Sequence, residues 1–161
     1  MGRITPFLWF DTESQEAAEF YTSVFPNSKI VDVGYYNEAG PREAGSALIV
    51  EFELDGQRFI ALNGGPQFSF TEAVSFDVKC QTQEEVDGYW ETLSEGGEEG
   101  PCGWLKDRFG LSWQIVPEVL PRLLADPDRE KADRVFSAMM KMGKIEIAEL
   151  ERAAEGAATP S

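Results

Sequence analysis

Short apolar runs alternate with helix-period stretches along this chain, and the alternation occurs twice. Ile4 to Phe10 is a short apolar run and reads as a strand. Thr12 follows, with Gln15 three residues later, the spacing of a capping box. Ala17, Phe20, Tyr21 and Val24 then recur at helical spacing, which predicts an amphipathic helix over residues 13–25, ended by Pro26-Asn27. Three strands are predicted next, at Ser28 to Tyr36, Ser46 to Leu54 and Gln57 to Asn63. The first two are separated by a stretch rich in Gly and Pro, from Asn37 to Gly45. The last two are joined by Asp55-Gly56, a strong hairpin signal between apolar runs.

After the loop Gly64-Gly65-Pro66 the pattern restarts. Val74 to Cys80 reads as a strand. Thr82 with Glu85 repeats the capping-box spacing, and Val86, Tyr89, Trp90 and Leu93 mark a second amphipathic helix that stops at Gly96-Gly97. Weaker strand signals at Glu98 to Gly100 and Gly103 to Lys106 lead through a turn at Asp107 to Gly110 into a clear strand, Leu111 to Pro117. Strand, helix, then a run of strands thus occurs twice, and a repeat of this length is a duplicated module rather than a solenoid. Helices are predicted at Val119 to Leu124, Arg129 to Met142 and Lys144 to Glu155. The expected organisation is a first module at 1–63, a second at 64–117, a helical extension at 118–155 and a frayed tail at 156–161. Met139, Met140 and Met142 lie near one helix end. They suit helix packing or a dimer contact, and an adaptable binding surface is the alternative.

Composition narrows the chemistry. The 161 residues include no histidine, so Ser-His-Asp and Cys-His machinery and imidazole metal ligands are excluded from this chain. Fourteen Lys and Arg against 29 Asp and Glu leave a formal charge of −15, which opposes binding to nucleic acid or to anionic membrane. The opening MGRITPFLWF has too short an apolar run for a signal peptide or membrane helix, and Cys80 and Cys102 make no disulfide framework, so a cytoplasmic setting is expected. Eleven Phe, four Trp and four Tyr point to a well-packed core or an aromatic-lined pocket.

The segments LWFD, EFYTSVFPNSKI, ALNGGPQFSFTEAVSFDVKCQTQEEVDGYW and CGWLKDRFGLSWQIVP closely resemble the PhnB-like family. That family is often labelled a 3-demethylubiquinone-9 3-methyltransferase domain, within the vicinal oxygen chelate superfamily. The tail DREKADRVFSAMMKMGKIEIAELERA resembles its C-terminal extension. The resemblance implies an α+β fold: tandem βαβββ modules forming curved mixed sheets, the glyoxalase and bleomycin-resistance fold, with a helical extension. It also implies homodimers whose clefts form where two chains meet.

Metal-dependent members of the superfamily place one ligand on each of four cleft-facing strand positions. The matching positions here fall at Thr5 or Phe7, Ala61 or Asn63, Ala73 or Ser75, and Gln114. Only Gln114 is a plausible ligand there, and a weak neutral one, so no transition metal and no other cofactor is expected; a hard cation held by Glu51, Asp77 and water is the alternative. The cleft would then hold a small organic ligand. Phe7, Trp9 and Phe59 are candidates to stack on it, with core packing as the competing reading. Glu51, Asn63, Ser75, Asp77 and Gln114 are candidates to orient it, and an internal hydrogen bond competes for Gln114. Cys102, with Lys106 and Arg108 near in sequence, is a candidate reactive thiol, against a small buried residue. The Gly-rich pieces do not sit after a strand and open a helix, so a nucleotide-type cradle for S-adenosylmethionine is not supported. The alternative to a binding protein is an enzyme of the family, the labelled methyltransferase or a metal-dependent lyase or dioxygenase relative.

Overall fold

The computed structural model describes residues 2–40 and 44–156. Part of the Gly- and Pro-rich break and residues 157–161 of the predicted frayed tail lie outside the described residues. The chain divides into two compact units at the Phe70–Thr71 junction.

The first unit holds β1 (Phe7–Phe10), α1 (Ser14–Val24), β2 (Lys29–Tyr35), β3 (Ala47–Leu54) and β4 (Gln57–Asn63), with sheet order β1-β4-β3-β2. β1 runs parallel to β4, and the other neighbours are antiparallel. The hairpin predicted at Asp55-Gly56 forms. Leu54 pairs with Gln57, and both turn residues have positive φ, 48° and 81°, as a two-residue primed turn requires. Burial alternates with period two: Val50, Phe52, Leu54, Phe59 and Ala61 are buried while their strand neighbours are only half-covered. α1 covers the buried side through Ala17, Ala18 and Tyr21, and the Phe52 and Phe59 rings stack beneath it at 5.4 Å.

The second unit repeats the order with β5 (Ser75–Cys80), α2 (Gln83–Ser94), β6 (Glu98–Glu99), β7 (Trp104–Lys106) and β8 (Ser112–Pro117), in sheet order β5-β8-β7-β6. Here β5 runs parallel to β8. Trp90 and Leu93 of α2 pack with Leu105, Trp113 and Ile115 in this unit's core. Asp107 is buried at the turn before β8, where its carboxylate accepts from the backbone N–H groups of Phe109 and Leu111 and from Trp113 Nε1. A buried carboxylate is tolerated when its oxygens are matched in this way.

Helix starts differ between the repeats. Thr82 caps α2 by accepting from the Glu85 N–H, as the spacing predicts. Thr12 does not cap α1. Glu13 occupies the N-cap without a side-chain bond, and the Ser14 N–H donates instead to Asn63 Oδ1 at 2.8 Å. A residue from the end of β4 has replaced the local cap.

Three further helices, α3 (Val119–Leu124), α4 (Arg129–Met139) and α5 (Ile147–Glu155), gather around Leu120, Val135, Ile145 and Leu150, with Val116 of β8 in the same cluster. α4 is shorter than the periodicity predicts. Beyond Met139 the chain turns so that the Met142 and Gly143 carbonyls accept from the Cys102 and Gly103 N–H groups. Met139 and Met142 pack against the cluster, and Met140 is exposed. Among the described residues no helix is long and apolar enough to cross a membrane.

Candidate functional site

Strand register sorts the predicted site residues by face. In the first unit Phe7 pairs with Ile60, Trp9 with Leu62, Ile49 with Leu62 and Glu51 with Ile60. Phe7, Trp9, Glu51, Ile49, Ile60 and Leu62 therefore share the side of the sheet away from α1. Phe7 is 54% exposed there. Trp9 is half-covered: its Nε1 donates to the Gly65 carbonyl and its ring meets Phe68 edge-on at 5.0 Å.

Phe59 and Asn63, also expected in the cleft, lie on the opposite side. Phe59 stacks on Phe52 in the core. Asn63 caps α1 through Oδ1, donates Nδ2 to the Ala47 carbonyl, and its own carbonyl accepts from the Tyr36 hydroxyl. Its hydrogen-bonding groups are engaged internally, and none points to a ligand.

In the second unit the side away from α2 carries two rows of cross-strand neighbours. One row is Glu98, Lys106, Ser112 and Ser75; the next includes Trp104, Gln114 and Asp77. A cavity of about 530 Å³ opens at the Glu98 end of these rows, walled by Trp104, Leu105, Pro101 and Cys102 and bordered by Glu72, Glu98 and Lys106. Ser112 lines it, has no exposed surface, and its hydroxyl has no hydrogen-bond partner. A buried hydroxyl without a partner is costly.

Charge at the cavity mouth is organised by Lys106. Its ammonium lies 2.7 Å from the Glu72 carboxylate. The hydrogen bond that Lys106 donates to Glu72 pushes the Lys106 pKa up, aided by the charges of Glu72 and Glu98, and the same bond pulls the Glu72 pKa down. Both groups stay charged through the neutral range. Glu99 also borders the cavity, but its carboxylate is turned to Trp90 Nε1 of α2 at 2.9 Å.

The remaining predicted residues are engaged within the chain. Gln114 Nε2 donates to the Ser75 hydroxyl at 2.9 Å, and Asp77 pairs with Lys79 at 3.0 Å. Cys102 lies on the cavity wall with φ of +57°, unusual for a residue with a Cβ, and its Sγ is 3.7 Å from Met140 Sδ. Cys80 is fully buried; desolvation, with Glu85 and Asp77 nearby, pushes its thiol up to about 12. With Gln114 expected in the cleft, alternation along the last strand puts Ser112 on the same face, but Glu72, Trp104 and Lys106 were missed as cavity residues. Alternation from Ser112 across a β7–β8 pairing would have brought in Trp104 and Lys106; Glu72, in the loop before β5, left no signal.

The residues at the four positions where the resemblance would place metal ligands do not fit a transition metal. Two of them, Ser75 and Gln114, bond each other. Among the described residues no group of three Cys, Asp or Glu side chains converges as a metal site. The glycines fit a methyl-donor cradle no better. A Cβ on Gly64 would fall 2.3 Å from the Trp9 ring, and one on Gly97 would fall 2.1 Å from the Lys106 carbonyl. These glycines serve close packing within the chain, and no step through S-adenosylmethionine follows from them.

Comparison with known proteins agrees with this architecture. The family model described as 3-demethylubiquinone-9 3-methyltransferase matches residues 2–116. A solved PhnB protein of Bacillus cereus, provisionally described as a 3-demethylubiquinone-9 3-methyltransferase, is 36% identical. The match covers 72% of this chain and 99% of that one, with a TM-score of 0.66. A Pseudomonas aeruginosa protein is 18% identical over 73% of this chain and 98% of its own, with a TM-score of 0.61. The fosfomycin resistance protein FosX of Listeria monocytogenes, solved with Mn(II) and sulfate, is 17% identical over 76% of this chain and 94% of its own, with a TM-score of 0.53. The last two likenesses concern the fold alone. No curated protein sequence matches the chain.

Proposed function

The chain belongs to the 3-demethylubiquinone-9 3-methyltransferase family, the PhnB-like members of the vicinal oxygen chelate superfamily; from that premise we propose that it binds a small organic ligand without a resident metal, in clefts completed by a second copy of the chain. The observation that carries the reading is the cavity of about 530 Å³ on the polar side of the second sheet, with the Trp104 side chain and the unpartnered Ser112 hydroxyl in its lining. An apolar cavity with one or two polar anchors is the usual form of a small-molecule site. The half-exposed apolar side of the first sheet supports self-association, because contiguous exposed apolar surface is uncommon on monomers. A cytoplasmic setting without nucleic-acid or membrane partners accords with the charge of −15.

The test is ligand-observed NMR on EDTA-treated protein against a mixed-charge panel of aromatic fragments. Binding is expected, and Trp104→Ala should weaken it about tenfold, as for an aromatic hot spot. A panel without a single binder, or binding that arises only with an added divalent ion together with a higher melting temperature, overturns the reading. Light scattering should give about 36 kDa, twice the chain's 17.9 kDa. Methyl transfer from S-adenosylmethionine to a catechol or phenol by the purified protein would establish the enzyme reading instead.

A further inference from the structure

We propose that the cavity selects ligands that carry a cationic amine on an apolar or aromatic body, and rejects anionic ones. The inference rests on the reading that this cavity takes a small organic ligand, and adds the class. Two carboxylates, Glu72 and Glu98, stand on the open side of the sheet against one ammonium, Lys106. Lys106 is held by Glu72 at 2.7 Å, whereas Glu98, its cross-strand neighbour on β6, acts on it only at longer range. The mouth therefore keeps one carboxylate in excess. An incoming carboxylate or phosphonate would have to compete with Glu72 for Lys106 while facing Glu98, and an incoming ammonium faces Glu98 with no need to break the pair.

The walls point the same way. Trp104 is the aromatic side chain best suited to a neighbouring cation, because its ring carries the most negative face. The buried Ser112 hydroxyl, unpartnered and lining the cavity, offers both a donor and an acceptor, so an amine N–H or an ether oxygen further along the ligand would satisfy it. An acidic cluster alone would be an ordinary solvated surface; a fully buried hydroxyl lacking a partner in the same cavity makes it a site.

Three naphthalene probes of matched shape test the charge: 2-naphthylmethylamine, 2-naphthalenemethanol and 2-naphthoate, titrated into the full isotope-labelled chain and followed through the amide signals of Trp104, Lys106 and Ser112. The amine should bind about three- to fivefold tighter than the alcohol, the range expected for one half-exposed charge contact, and tighter still than the naphthoate. Glu98→Gln, at an exposed position that tolerates the change, should bring amine and alcohol within about twofold and leave the alcohol's affinity unaltered. Raising the salt to about 0.5 M should narrow the gap as well. Naphthoate binding as tightly as the amine, or an unchanged order in Glu98→Gln, overturns the charge selectivity while leaving the small-ligand reading intact. Failure of all three probes to move the cavity amides overturns the small-ligand reading itself.

Discussion

On the first sheet, the side turned from its helix is mostly apolar, with Phe7, Trp9, Ile49, Ile60 and Leu62 beside Glu51; on the second, the corresponding side is mostly polar, with Ser75, Glu98, Lys106, Ser112 and Gln114 beside Trp104. The two modules share element order, strand order and the parallel pairing of first and last strands. Their helix-facing sides are both apolar and buried, since that is the condition for folding at all. Their open sides diverge because only those sides are free to do so. In the first module Trp9 is tied to Gly65 and Phe68 of its own chain, while Phe7 beside it stays exposed. In the second, polar residues surround a cavity and one hydroxyl lacks a partner. A duplicated fold has kept its cores alike and assigned different work to its two open faces.

Tryptophan replacements give the widest separation between these faces. Trp9→Ala removes an indole packed on Gly64 and Phe68 and should lower stability by about 2–4 kcal/mol, read as a shift in urea midpoint. Trp104→Ala, on the cavity wall, should lower it by about 1 kcal/mol or less and act mainly on ligand binding. Equal losses in the two variants would show that Trp104 is as structural as Trp9, and the contrast between the faces would collapse.

A smaller effect separates the two helix starts. Asn63→Ala should cost about 2 kcal/mol, since it strips the cap from α1 and leaves the Ala47 carbonyl without its donor. Thr82→Ala should cost about 1 kcal/mol, and Thr12→Ala close to nothing, although both threonines sit in the same sequence pattern. A loss in Thr12→Ala equal to that in Thr82→Ala would mean that the local cap does form on α1.

These caps also mark where the sequence was legible. β4 and α3 were predicted with the ends they have, because a two-residue turn and a proline-bounded apolar stretch act locally. The cap of α1 was not, because it comes from a residue 49 positions away. Phe59 and Asn63 were assigned to the cleft because alternation says which residues share a face, not which face meets the helix. The signal was nevertheless present. The Asp55-Gly56 turn sets Phe59 opposite Phe52, and Glu51 and Glu53 alternate with Val50, Phe52 and Leu54, so the carboxylates mark the open side. The cavity was the least legible part. It depends on Glu72 in a loop and on which side chains are left without partners, and no periodicity records that.

The finest distinction lies within one strand row, between Ser75 and Ser112, cross-strand neighbours on the same face. Ser75 accepts from Gln114 Nε2, so Ser75→Ala leaves a half-buried carboxamide without its acceptor and should cost about 1 kcal/mol. Ser112→Ala removes a hydroxyl that is already unpartnered and fully buried, so stability should stay level or rise by up to about 1 kcal/mol. The same Ser112 variant should bind the naphthylmethylamine probe more weakly, because the atom that is unhelpful to folding is the one the ligand would engage. Stability and affinity moving in opposite directions is the signature of a group held for a ligand. A loss of stability in Ser112→Ala matching that in Ser75→Ala would show that the hydroxyl has a structural partner and would remove the distinction between the two serines.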